Sequence, residues 1–294
     1  MVTALEEARA RFEAGEYREA REAALAGLAD RPDDAELLRV AGRAGVELGA
    51  DDAVEQLRRF TELRPDDPAG WSDLGDALAT EGRDEEAAEA FRKTLELNPD
   101  DELALTHLGH AAHASGKDDD AVAYLSQAAE RTAGASTAAI SLVDMYRTLG
   151  QYEEALAAAR KVADAEPGDV AAALDVADLS LTVGGLDEAA RAFQRVREIE
   201  DLPDHEVHAL HGMIAVEVRR ESWARALELA KEARALDGRT NDVCAFLEAQ
   251  LGEGDAEEAP PTREEIDAAL SASMTEHRRL HGEDRRLEVG DLGG

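Results

Sequence analysis

A single cysteine, Cys244, means that no disulfide can form within the chain, and it leaves the redox compartment unconstrained. Aromatic residues are scarce, at 4% of 294 residues, while alanine abounds, so the core is expected to be thin and lined by small side chains. Runs of β-branched residues are missing, and the prevalence of alanine, leucine, glutamate and arginine favours helix over strand throughout. No stretch approaches about 18 uninterrupted apolar residues, which excludes a membrane-spanning helix. The segment from Met1 to Arg11 already carries Glu6 and Glu7 and lacks the apolar core of a signal peptide, so a soluble cytoplasmic protein is the expectation. Lysine is nearly absent, with Lys93, Lys117, Lys161 and Lys231 the only four. Acidic residues number 66 against 32 basic, a net charge of −34 that disfavours nucleic acid and anionic membranes as partners. A high-GC genome and adaptation to salt would each produce this balance.

What the chain has is a period. Ala53, Ala87, Ala121, Ala155 and Ala189 stand 34 residues apart, four of them led by a glycine-started turn such as Gly82-Arg-Asp-Glu-Glu-Ala87 or Gly150-Gln-Tyr-Glu-Glu-Ala155. Self-similarity at this spacing predicts stacked helical hairpins, each unable to bury its apolar face without a neighbour. In residues 68–101, Trp71, Leu74, Gly75 and Leu78 fall at i, i+3, i+4 and i+7 on one face of a first helix. Gly82 ends that helix, Ala87, Phe91 and Leu95 line the second, and Asn98-Pro99 closes it.

This pattern, Trp71-x2-Leu74-Gly75-x2-Leu78 followed by Gly82, Ala87, Phe91 and Pro99, resembles the tetratricopeptide repeat. The resemblance implies an all-α fold, an α-solenoid wound as a right-handed superhelix of about seven helix-turn-helix units. The units fall at about 1–34, 35–67, 68–101, 102–135, 136–169, 170–203 and 207–240, with a cap helix at 241–252. The first unit departs from the pattern with charges at Arg9 and Arg11, as suits a capping repeat. The seventh is shifted, Ala226 lying 37 residues past Ala189, with Asp204-His205-Glu206 as the insertion and Glu221 in place of the turn glycine. Cys244, Leu247 and Leu251 are expected to point inward from the cap helix.

A different composition begins at Gly252. Residues 253–261 are acidic and carry Pro260-Pro261, a linker by content. Thr262 and Glu265 form a capping-box signature that predicts a separate tail helix, with a narrow stripe of Ile266, Ala269, Leu270 and Met274. Arg278, Arg279, Arg285 and Arg286 follow as a local basic patch, which raises the possibility of intramolecular docking of the tail on acidic first-helix residues.

Signatures of catalysis fail at named places, so no catalytic residue, cofactor or metal ligand is assigned. Gly116-Lys117 resembles a phosphate-binding loop, but Ala111 replaces the first glycine and Asp118 the magnesium-holding hydroxyl. His205-Glu206-x-His208 resembles a zinc-protease helix but has Ala209 where the second histidine belongs. Eight histidines nevertheless cluster: His107, His110 and His113; His205, His208 and His211; His277 and His281. A metal-binding or metal-sensing protein is the alternative they raise, with His277 and His281 at i and i+4 best placed to share one ion.

Family resemblance implies that first helices line a concave groove holding a partner protein or peptide, so the chain reads as a non-catalytic interaction scaffold. The residues projecting between packing positions are Arg39, Arg43, Asp73, Asp76, His107, His110, His113, Asp144, Arg147, Asp175, Asp178, His208 and His211. Family members that clasp a terminal carboxylate do so with lysines and asparagines. Leu5, Arg9, Arg39, Asp73 and Asp76 stand at those places here, so that clamp is not reproduced.

Overall fold

The structure, a computed structural model, describes residues 3–131, 136–199, 203–236, 241–251, 262–266, 268–272 and 274–275. Every regular element among them is helical. In chain order they are α1 (Ala4–Glu13), α2 (Tyr17–Asp30), α3 (Ala35–Glu47), α4 (Ala53–Leu63), α5 (Pro68–Thr80), α6 (Asp84–Leu97), α7 (Glu102–Ala114), α8 (Asp118–Arg131), α9 (Thr137–Thr148), α10 (Tyr152–Ala165), α11 (Val170–Thr182), α12 (Leu186–Ile199), α13 (Pro203–Arg219), α14 (Trp223–Leu236) and α15 (Asn241–Gln250). Helical residues at 263–266, 268–272 and 274–275 form a tail helix. The chain divides into two compact units, one within Met1–Thr132 and one within Ala133–Glu288.

Much of the acid has a local purpose. Asp34, Asp67, Asp101 and Asp169 cap the first helices α3, α5, α7 and α11, each carboxylate accepting a backbone N–H of the first turn, at 2.8 Å from Ala171 N in the shortest case. Ser136 does the same for α9, and Thr3 with Glu6 closes a full capping box on α1. Such a cap contributes about 1 kcal/mol, because the first N–H groups of a helix otherwise have no partner.

Within the first unit α1 pairs with α2, α3 with α4, α5 with α6 and α7 with α8; within the second, α9 pairs with α10, α11 with α12 and α13 with α14. First helices also meet one another, α1 with α3, α3 with α5 and α5 with α7, and α11 with α13. Among the described residues second helices make no comparable contact with each other, so each unit curves with its first helices on the inside. The glycines of the first helices set this closeness. A Cβ added at Gly75 would lie 2.7 Å from the Phe91 ring and one at Gly109 2.7 Å from Leu125, so hairpins close tightly only where no side chain intervenes.

On the outer side a recurrent bond ties the second helices α4, α8 and α12 to the end of the preceding second helix. Arg59 donates to the Pro32 carbonyl at 2.7 Å, Gln127 to Pro99 at 2.8 Å and Arg195 to Pro167 at 3.0 Å, all from the same place in the repeat. Beside it, Arg58 pairs with Glu86 and Arg160 with Glu188. Exposed pairs of this kind are worth about 0–1 kcal/mol each, so burial of Phe60, Phe91, Phe193 and the alanine–leucine layers dominates the stability.

Three differences from the sequence reading have physical causes. The insertion before the seventh repeat lies within helix: α13 has 17 residues where the first helices α3 to α11 have 12 or 13, and Pro203 opens it rather than closing the sixth repeat. Proline suits that place because the first helical N–H has no intrahelical acceptor to lose. Leu251 is exposed, and Val243 and Phe246 accompany Cys244 and Leu247 inward. The tail helix is packed against the stack: Ile266 and Leu270 are buried in the same core cluster as α13, α14 and α15.

The turn between α13 and α14 is strained. Gly82 takes φ of 70° at the end of α5, and Glu221 is forced to φ of 58° at the equivalent place. A residue with a Cβ pays roughly 1–2 kcal/mol there and glycine does not. Glu221→Gly is therefore expected to stabilise the second unit by about 1 kcal/mol, read as a higher urea midpoint; an unchanged or lower midpoint would remove this account of the turn.

Candidate functional site

The inner side of the first unit is held by charge pairs that run from one first helix to the next. Arg9 of α1 meets Glu36 of α3 at 2.6 Å, and Arg39 Nε of α3 meets Asp73 Oδ2 of α5 at 2.6 Å. Arg43, one turn on, lies 3.6 Å from the other Asp73 oxygen and places its guanidinium 4.5 Å from the centre of the Phe12 ring on α1. Arg39 also lies over the Phe60 ring at 5.7 Å. Its pKa is raised on balance: burial opposes the charge, but the hydrogen bond and attraction of Asp73 outweigh it. Asp73 thus serves two arginines of the preceding repeat.

Asp76, the next acid along α5, has no ion pair among the described residues. Burial pushes its carboxyl pKa above the ordinary value, Asp73 and Glu47 add to the shift, and Arg43 only partly offsets it. Because the folded-state pKa lies above the unfolded one, the ionised carboxylate costs stability at neutral pH, and that cost fades as pH falls through the raised value. Asp76→Asn is accordingly expected to be more stable than the parent at pH 7, with the difference shrinking on acidification. Thermal melts between pH 7 and pH 3 measure it; a constant difference would contradict the assignment.

On α7 the three histidines have three environments. His107 is half-buried and stacked on Phe91, ring centroids 4.6 Å apart and planes 14° from parallel. Burial, followed by the neighbouring His110, lowers its pKa and favours the neutral ring. His110 is exposed, and His113 Nδ1 lies 2.7 Å from Asp118 Oδ1 across the α7–α8 turn.

In the second unit Asp144 of α9 is exposed, and Arg147 meets Asp175 of α11 at 2.8 Å. Asp178, His208 and His211 correct the expectation of an open groove. They are 7%, 2% and 3% exposed, and His208 Nε2 lies 3.0 and 3.1 Å from the two carboxylate oxygens of Asp178. Burial between α11, α12 and α13, with the Phe193 ring 6.2 Å from His208, makes them a polar core. Of the projecting aspartates, Asp73, Asp175 and Asp178 are therefore engaged within the chain. The 34-residue step from Arg39 to Asp73 was the available signal, since opposite charges at one repeat's distance face each other across adjacent first helices. Phe12 and Glu47, which shape the surroundings of Arg43 and Asp76, were missed as site residues because Phe12 reads as a pattern residue of the first repeat and Glu47 stands at no marked position.

Among the described residues no group of three or more histidine, cysteine, aspartate or glutamate side chains is arranged to hold a metal ion, and no helix is long and apolar enough to cross a membrane. His277, His281 and Arg278, Arg279, Arg285 and Arg286 lie outside the described residues. Cys244 is buried, and burial pushes its thiol pKa up.

Tetratricopeptide repeat profiles match residues 5–51, 49–102, 85–136 and 106–170, and a second profile of the same description matches 146–214. The chain belongs to the tetratricopeptide repeat family. No curated protein matches it. Among solved structures it is similar to the C-terminal part of a TPR repeat-containing protein from Cytophaga hutchinsonii, with a TM-score of 0.67 and 16% identity over 80% of this chain and 95% of that one. It is also similar to PilW, a widely conserved type IV pilus biogenesis factor (TM-score 0.56, 19% identity, 66% of this chain and 91% of that one). YrrB, a TPR protein with an unusual peptide-binding site, has a TM-score of 0.54 and 20% identity over 63% of this chain and 94% of its own. At these identities the likeness carries the fold alone.

Proposed function

We propose that the protein is a non-catalytic scaffold whose first helices hold a segment of a partner protein, and that on the first unit this segment presents a basic side chain to Asp76. Tetratricopeptide repeat proteins typically mediate protein–protein interactions, and YrrB is described with a peptide-binding site. The single observation that carries the finer reading is the state of Asp76. It is an acid left without an ion pair on the inner side, at a cost to stability, while its neighbour Asp73 is neutralised by Arg39 and Arg43. A cation arriving from a partner would relieve that cost, and the exposed His110 lies on the next first helix along, α7, whose His107 stacks flat on Phe91 of α6. The net charge of −34 brings basic segments in from a distance.

A random peptide-display library panned against the full chain tests this. Selected peptides are expected to be enriched in arginine and lysine and to lose about tenfold in affinity on Asp76→Asn, with little change on Asp144→Asn. Selection of peptides without basic residues, or binding indifferent to Asp76→Asn, would end the assignment.

A further inference from the structure

We infer that the tail helix is a releasable strap over the C-terminal end of the second unit, and that its release bares the apolar face of α15 and the Cys244 thiol without unfolding the repeats. The face beneath is built like the contact between successive repeats. Val243, Cys244, Phe246 and Leu247 of α15 are buried, with Phe246 edge-on to Trp223 of α14 at 6.1 Å. In a longer array another repeat would cover it. Here Ile266 and Leu270, 1% and 2% exposed, are buried in the same core cluster as these α15 residues, with Met274 partly buried against it one turn further on.

The strap is lightly attached. Apart from Ile266, Leu270 and Met274, every described side chain of the tail helix is exposed, whereas α14 alone buries Ala226, Leu227, Leu229, Ala230 and Ala233. An isolated helix of this length is marginal in water, so the tail helix forms by docking and melts on leaving. Its first turn carries its own capping box: Thr262 N donates to Glu265 Oε2 at 2.6 Å, and Glu265 N donates to Thr262 Oγ1 at 3.3 Å. Residues 252–261 join it to α15, and ten residues can span about 33 Å, so departure requires no movement of the repeats. Few buried apolar contacts on a terminal element define the end of a structure that opens first. This inference is independent of what the inner side binds.

The test uses the full chain, whose one thiol reports directly on the covered face. Labelling of Cys244 by an aromatic disulfide reagent under native conditions is expected to be slow in the parent and insensitive to urea below the unfolding transition. Ile266→Asp combined with Leu270→Asp should accelerate it at least tenfold. Glu265→Ala, a change at an exposed side chain that weakens only the strap's own cap, should accelerate it two- to fivefold with the helix content of the repeats unchanged. Labelling of Glu265→Ala at the parental rate, or labelling that in every variant rises only in step with global loss of helix, would overturn the inference.

Discussion

Phe193→Ala is expected to destabilise the second unit by about 3–5 kcal/mol, which is a large share of the 5–15 kcal/mol by which ordinary domains are stable. Phe193 is fully buried in α12 and its ring fills the space left by Gly212 on α13, so it is shared by two repeats. The converse change, Gly212→Ala, would place a Cβ well inside van der Waals contact of that ring. Overpacking of this kind costs about 1–3 kcal/mol, which outweighs the roughly 1 kcal/mol of helix propensity gained. In the double variant the new methyl enters the space the ring has vacated, so the combined loss should be smaller than the sum of the single losses. Trp71 lies in the first unit and Trp223 in the second. Urea titrations followed by Trp223 fluorescence in a Trp71→Phe background therefore report on the affected unit. Additive losses, or a transition unmoved by Phe193→Ala, would refute the shared packing.

Asp178→Ala is expected to cost about 1–3 kcal/mol, by removing the carboxylate that accepts from His208 Nε2 in a buried setting. The loss should appear as faster amide exchange in α11 to α13, because the pair joins the first helices of two successive repeats. Asp178→Asn keeps an acceptor oxygen of the same reach and should lose less than half as much. Equal exchange in the parent and Asp178→Ala would show that the bond contributes nothing, and equal losses in the Ala and Asn variants would show that charge rather than hydrogen bonding matters.

The repeat register was legible in the sequence because it is written in residue size: Ala87, Gly75 and Leu78 recur where backbones approach, and few other residues fit. Helix starts at Asp34, Asp67, Asp101 and Asp169 were present as acid but indistinguishable there from the many solvated carboxylates around them. The inner side was legible as positions and not as states. Arg39, Asp73 and Arg147 are where the register puts them, yet pairing between first helices depends on side-chain reach across two repeats, which no single window displays. His208 and His211 were misread for a related reason. The inserted residues lengthen α13 by a turn, and its register against α11 can be known only once the helices are packed. Attachment of the tail helix was hidden because the stripe of Ile266, Ala269, Leu270 and Met274 is too narrow and short to distinguish a docked helix from an isolated one.

Contact between successive first helices sets a ruler for anything that lies along them. Packed helices have axes about 8–10 Å apart, and an extended polypeptide advances about 3.3 Å per residue. A guest strand crossing α3, α5 and α7 in turn would therefore meet a fresh helix at every third residue, and its recognition motif should carry its anchors in triplet spacing rather than as a contiguous block.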